Sequence, residues 1–375
     1  MKTTTSLACV AVLVAGMAGL LDAQARGGAA GQGRGGGGAR GGGPRAGTVE
    51  RITVHGKALE GNLEADSPDR EVSVYLPPSY GEDQARRYPV LYLLHGYGLQ
   101  DDNFTTRVAN LAPAADALAP VQGFSELIIV IPNAFTLYKG SMYSSSPTIG
   151  DWERFIAEDL VAAIDGRYRT YATRMSRGLA GHSMGGYGAL RIGMKRPDVF
   201  SSLYFMSSCC LTANRNPTPE SMAAAAAIAT SAQAEELMRA PGFGAAVTLA
   251  SAAAWSPNPK NPPLFLDLPV KDGKVRPEIV AKWAANAPLE MIDQYAENLT
   301  KHYAIAMDIG TADGLLATNR QLHEALTRLR IPHGYEEYDG DHDDKVGERI
   351  ARHVLPFFSK NLAAPANPSS PPPQR

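Results

Sequence analysis

Between residues 47 and 362 the apolar positions of this chain follow two alternating rhythms. "RITVHGK" (51–57) and "REVSVYLP" (70–77) alternate polar with apolar residues, which predicts an opening antiparallel pair with one covered face. "YPVLYLLHG" (88–96) and "ELIIVIPN" (126–133) are continuous apolar runs, as expected of central parallel strands buried on both faces. "RGLAGHS", "SSLYFMSS", "AIAMDIG" and "GYEEYDG" supply further strands. Helical stretches fill the gaps at 103–119, 151–166, 185–196, 315–329 and 343–360; the second closes at Gly166 and the third is stopped by Pro197. Such alternation predicts an α/β fold, a mostly parallel sheet with helices on both faces, in one domain covering 47–362.

Residues 211–300 break the rhythm, since a single crossover would suffice there. The stretch holds the helix-favouring "ESMAAAAAIATSAQAEELMRA" and the Pro-rich "WSPNPKNPPLFLDLP", and reads as an insertion: a cap over a site, or extra packing on the sheet edge. Periodicity does not choose between these.

The ends follow neither rhythm. Lys2, an apolar stretch from Leu7 to Leu21 and the run Ala23, Gln24, Ala25 have the layout of a cleaved export signal over 1–25, so a mature chain beginning at Arg26 and a secreted or periplasmic location are expected. The apolar stretch is shorter than the roughly 20 residues of a membrane-spanning helix, so no stable membrane insertion is expected. Residues 26–46 are Gly-rich with interspersed arginines, a flexible tether, and 363–375 form a Pro-rich tail. A GxGxxG match at Gly31, Gly33 and Gly36 has no strand before it and no helix after it, so no dinucleotide cofactor is expected.

Charge narrows the partners further. With 20% charged residues and a formal net charge of -2, the chain has no overall pull toward nucleic acid or acidic lipid, so a local site must select its ligand. Cys209 and Cys210 are adjacent, closer along the chain than an unstrained disulfide allows, and are expected as small buried residues. No Cys/His spacing suggests zinc, and "DGDHDD" lacks the glycine and glutamate of a calcium loop, so no metal is expected.

The candidate chemistry lies at "GLAGHSMGG". Gly181, Ser183 and Gly185 form a GxSxG pattern between a predicted strand and a predicted helix, the context of a sharp turn that lifts a serine hydroxyl to the carboxyl edge of the sheet. A serine hydroxyl attacks only with help from a base and an acid that orients it. Asp313 in "TAD" and His342 in "DHDD" follow late strands in the order this fold requires. Asp308 lies within its strand, and His182, next to the nucleophile, is expected to pack sideways. The amides of Met184 and Tyr97 are the expected oxyanion donors, with His95 shaping the loop that carries Tyr97.

These segments resemble the esterase D or "putative esterase" group of α/β-hydrolases, which includes feruloyl and acetylxylan esterases, enterochelin esterases, S-formylglutathione hydrolases and mycolyltransferases of the antigen 85 type. The resemblance runs through "YPVLYLLHGYGLQDDNF", "FIAEDLVAAIDGRYRT", "GHSMGGYGAL", "GTADGLL" and "GDHDD" over most of 70–358. It implies an α/β-hydrolase fold, with Ser183 as nucleophile, Asp313 as acid, His342 as base, and Tyr97 and Met184 as oxyanion residues. It also implies a serine ester hydrolase acting on feruloyl, acetyl or other external esters. An acyltransferase on the same machinery, and a non-catalytic binding scaffold, are the alternatives. Phe135, Tyr138, Tyr143 and Trp152 are candidates to line a substrate pocket.

Overall fold

The computed structural model describes residues 46–212, 218–240 and 243–364. The expected leader, all but the last residue of the Gly/Arg-rich segment and the tail from 365 onward lie outside the described residues.

Eight strands form one sheet: β1 (Thr48–His55), β2 (Asp69–Leu76), β3 (Val90–Leu94), β4 (Ile128–Pro132), β5 (Arg177–His182), β6 (Ser202–Met206), β7 (Ala304–Gly310) and β8 (Gly334–Tyr338). Their spatial order is β1-β2-β4-β3-β5-β6-β7-β8. β1 pairs antiparallel with β2, and β2 antiparallel with β4. All other pairings are parallel. The continuous apolar runs become the centre: every residue of β3, β4 and β6 is buried. The polar "GYEEY" becomes the half-exposed edge β8, where charged side chains discourage further strand pairing.

The helices that matter for the site are α1 (Leu111–Leu118), α2 (Leu160–Arg167), α3 (Met184–Lys195), α4 (Pro219–Ala226), α5 (Ser231–Arg239), α6 (Gly244–Trp255), α7 (Pro277–Ala284), α8 (Leu316–Arg328) and α9 (Leu355–Asn361). The helix expected over 103–119 is divided: helical turns over 101–108 stop, Asn110 takes a left-handed φ of 43°, and α1 begins anew. Pro113 explains the restart, because a proline lacking its N–H is accepted only in the first turn of a helix. The helix expected to close at Gly166 runs on to Arg167. Asp151 opens that segment by accepting the Arg154 amide at 3.1 Å.

The Ala-rich part of the insertion is likewise two helices, α4 and α5, separated where Thr230 and Gln233 form a reciprocal capping box. α6 has no polar face, and its residues from Thr248 to Trp255 are all buried. Its far end seats on the short hairpin that follows β4. Ser146 donates its hydroxyl to the Ala253 carbonyl at 2.5 Å, and Trp255 Nε1 donates to Ser144 Oγ at 3.2 Å. α3 holds the insertion from beneath, with Tyr187 Oη donating to the Asn286 carbonyl at 2.9 Å. Arg191 on the same helix pairs with Glu153 at 2.7 Å, and Glu153 also receives Lys195. The insertion is therefore packed into the domain: it leaves from β6 and returns to β7, both on one side of β5, while α6 reaches across to the hairpin that follows β4. No helix among the described residues is long and apolar enough to cross a membrane.

Candidate active site

The sequence around Ser183 is folded into a strained turn. Ser183 sits between β5 and α3 at φ 57° and ψ -113°, a conformation that costs a non-glycine residue on the order of 1–3 kcal/mol and persists only where the surroundings enforce it. They do so through the backbone: the Ser183 amide donates to Met206 O at 3.0 Å, and its carbonyl accepts the Tyr187 and Cys209 amides at 3.0 and 3.2 Å. The flanking glycines are sterically required. A Cβ on Gly181 would come within 2.3 Å of the Gly185 carbonyl group, and one on Gly185 within 2.0 Å of the Leu94 oxygen. Larger residues would push the serine off the sheet edge.

Asp313 and His342 converge on that serine from the loops after β7 and β8. His342 Nδ1 lies 2.8 Å from Asp313 Oδ2, and His342 Nε2 lies 2.9 Å from Ser183 Oγ. Asp313 is 6% exposed. Burial pushes its carboxyl up, but the hydrogen bond and charge of His342, together with the Leu315 amide at 2.8 Å, outweigh burial and hold it below the usual value. An ionised carboxylate only accepts, so His342 Nδ1 carries the proton. The Nε2 lone pair then faces the Ser183 hydroxyl, which donates to it.

The two other histidines at strand ends support this arrangement. His182 Nε2 donates to the His342 carbonyl at 2.9 Å, so it holds the loop that carries His342. Burial, followed by the proximity of His342, pushes His182 down to about 3 and keeps it neutral. His95 Nδ1 donates to the Gly96 carbonyl at 2.8 Å while its Nε2 accepts the Ala134 amide at 2.9 Å. It therefore ties the loop after β3 to the loop after β4, and burial pushes it down to about 4. Sequence reasoning gave His95 a loop-shaping part but missed the bond from His182, because nothing in the residue order shows which carbonyl a histidine will meet.

The loop after β3 lies against the serine: a Cβ on Gly96 would be 3.5 Å from Ser183 Cβ. Among the described residues, neither the Tyr97 amide in this loop nor the Met184 amide at the start of α3 has a protein acceptor. Tyr97 is anchored by its hydroxyl, which donates to Tyr138 O at 2.8 Å. Gly140 fills the gap between the two residues, since a Cβ there would meet Tyr97 Cδ2 and Met184 Sδ, each at 2.7 Å.

The aromatic candidates fare differently. Tyr143 is fully buried with its hydroxyl on the His95 carbonyl at 3.2 Å, and Trp152 is buried with Nε1 on Ile149 O at 2.9 Å and Arg70 over its ring. Both are core residues whose polar atoms are satisfied internally, which corrects the expectation that they line a substrate pocket. Phe135 is half-buried, and its carbonyl accepts from Arg70. Asp308 is buried inside β7, where Tyr204 Oη and Arg349 bind it at 2.8 and 2.9 Å, away from the serine.

The side chains of His182, His342 and Asp343 come within metal-ligand reach of one another. Both nitrogens of His342 already face Asp313 and Ser183, and His182 Nε2 is committed to a carbonyl.

The sequence profile of the family described as "Putative esterase" matches residues 67–346, well over half of the chain. The chain belongs to this esterase family. A Mycobacterium tuberculosis esterase is 36% identical over 132 residues, 35% of this chain and 27% of that protein. An endo-1,4-beta-xylanase/feruloyl esterase of Xylanibacter ruminicola is 30% identical over 145 residues, 34% of this chain and 18% of that protein. The chain thus matches only about a quarter or less of the length of these curated relatives. Among solved structures, a ferulic acid esterase superposes with a TM-score of 0.60 at 22% identity, covering 85% of this chain and 100% of that one. A Staphylococcus aureus fluorophosphonate-binding serine hydrolase superposes with a TM-score of 0.57 at 18% identity, covering 84% and 99%. The fold of this family member is that of an α/β-hydrolase.

Proposed function

We propose that this chain is an exported serine carboxylic-ester hydrolase acting through Ser183, His342 and Asp313. The observation that carries the reading is the unbroken path from Asp313 Oδ2 through His342 to Ser183 Oγ, at 2.8 and 2.9 Å, on a strained strand-to-helix turn. In the first half-reaction the Ser183 oxygen bonds to the ester carbonyl carbon and its proton passes to His342 Nε2. The carbonyl oxygen becomes an oxyanion held by the Tyr97 and Met184 amides, donors worth on the order of 3 kcal/mol each in the barrier. The C–O bond to the alcohol then breaks, and His342 returns the proton to the leaving oxygen. A water, deprotonated by the same nitrogen, releases the acid and regenerates the serine.

Relatives named as feruloyl esterase, together with the apparent export signal, favour feruloyl or acetyl esters of carbohydrates, or other small external esters, as substrates. The test is steady-state hydrolysis of p-nitrophenyl acetate and methyl ferulate by the purified protein and by Ser183→Ala. A loss of about 10³-fold or more in the variant is expected. Equal rates in the two proteins would reject the reading.

A further inference from the structure

The sheet order gives the candidate site two sides. Asp313 and His342 follow β7 and β8, on one side of Ser183; the Tyr97 loop and the Gly140 segment follow β3 and β4, on the other. Because His342 must protonate the departing alcohol, the alcohol half of an ester lies toward β8. The opposite side, toward β3 and β4, where Gly140 abuts Tyr97 and Met184, is then available to the acyl half.

The insertion reaches that acyl side. It leaves the sheet after β6, yet Phe243, immediately before α6, stands edge-on to the Tyr97 ring, with centroids 5.2 Å apart and planes at 82°. Phe243 is 59% exposed, the most open aromatic side chain among the described residues. The Tyr97 ring itself is fixed by its hydroxyl bond to Tyr138 O and by its contact with Gly140. The result is a rigid aromatic ring beside the oxyanion amides and a second ring, on the insertion, whose surface is still open. Rings in this arrangement favour a third aromatic group over an alkyl chain, through edge and face contacts at centroid distances of about 4.5–7 Å.

We infer that Phe243 is a specificity residue that, with Tyr97, receives a planar aromatic acyl group and makes the insertion the acyl-selecting cap of the site. This rests on the ester-hydrolase reading above and deepens it. Phe243 makes its contribution through the acyl group alone, and the proton path is independent of it.

The test compares wild type with Phe243→Ala and Phe243→Tyr on p-nitrophenyl cinnamate, p-nitrophenyl acetate and ethyl acetate. Ratios of kcat/KM are read within each preparation, so any loss of folded protein cancels. In Phe243→Ala the cinnamate-to-acetate ratio for the p-nitrophenyl esters is expected to fall about tenfold or more. The ratio of p-nitrophenyl acetate to ethyl acetate, which varies only the alcohol, is expected to stay within about twofold, and Phe243→Tyr to restore the first ratio. An unchanged first ratio, or a change in the second instead, overturns the inference and leaves the hydrolase reading standing. If wild type shows no Ser183-dependent turnover of any of the three esters, the hydrolase reading falls and this inference falls with it.

Discussion

Replacing Asp313 with asparagine removes one charge from the site while nearly preserving shape. In the wild-type geometry the Asp313 carboxylate lies 2.8 Å from His342 Nδ1 and is almost fully buried. In the proposed reaction His342 becomes an imidazolium as the serine attacks, and the adjacent carboxylate stabilises that charge. With an effective dielectric of about 20 and charge centres about 3–4 Å apart, the attraction is about 4–6 kcal/mol. At 1.36 kcal/mol per factor of ten, its loss slows acylation by about 10³ to 10⁴. The tautomer works in the same direction: an asparagine N–H facing Nδ1 favours a proton on Nε2, where His342 can no longer accept from Ser183. The assay is kcat/KM on p-nitrophenyl acetate near neutral pH, with thermal melting in parallel to show that the variant is folded. A folded Asp313→Asn enzyme within about tenfold of wild type would refute the assignment of Asp313 as the orienting acid.

Two further outcomes follow from the surroundings. Gly185→Ala places a Cβ 2.0 Å from the Leu94 carbonyl oxygen, so the turn must shift; a destabilisation of about 1–3 kcal/mol and loss of ester turnover are expected, read by denaturant melts and rates, and a wild-type melt would contradict the steric argument. Acid should also weaken the fold well before the carboxylates titrate. Burial holds His95, His182 and His302 down to about 4, 3 and 4, so the unfolded chain binds protons that the native state refuses. Their combined effect is absent above pH ~6.5 and grows as pH falls, at about 1.4 kcal/mol per unit for each histidine, until the native pKa is reached. Calorimetric Tm should drop between about pH 7 and 5, and a flat profile would contradict the burial of these groups. Asp313, held below its usual value, adds a loss only at lower pH, below about 4.

The strands were legible in the sequence because their apolar runs and alternations report burial directly: "VLYLL" and "IIVIP" are fully buried in the sheet. The positions of Ser183, Asp313 and His342 at strand ends were legible for a related reason, since chain order and the carboxyl edge of a parallel sheet restrict where side chains can meet. Tyr143 and Trp152 were misread because an aromatic residue in a loop after a strand carries no mark of which way it turns. Only the bonds to His95 O and Ile149 O show that they face inward. Phe243 was not singled out, because no local pattern announces contact with a residue almost 150 positions earlier. The left-handed Asn110, which divides the first helical stretch, was hidden by the helix-favouring residues around it.

The central claim is that Ser183 becomes acylated, and the most direct measurement is the pre-steady-state release of p-nitrophenolate from p-nitrophenyl acetate, followed by intact-mass and peptide mapping of the quenched protein. The account predicts a burst approaching one equivalent per chain wherever deacylation is slower than acylation, with an acetyl adduct on the peptide containing Ser183 and neither signal in Ser183→Ala. An adduct mapped to another residue, or a burst that survives Ser183→Ala, would contradict it.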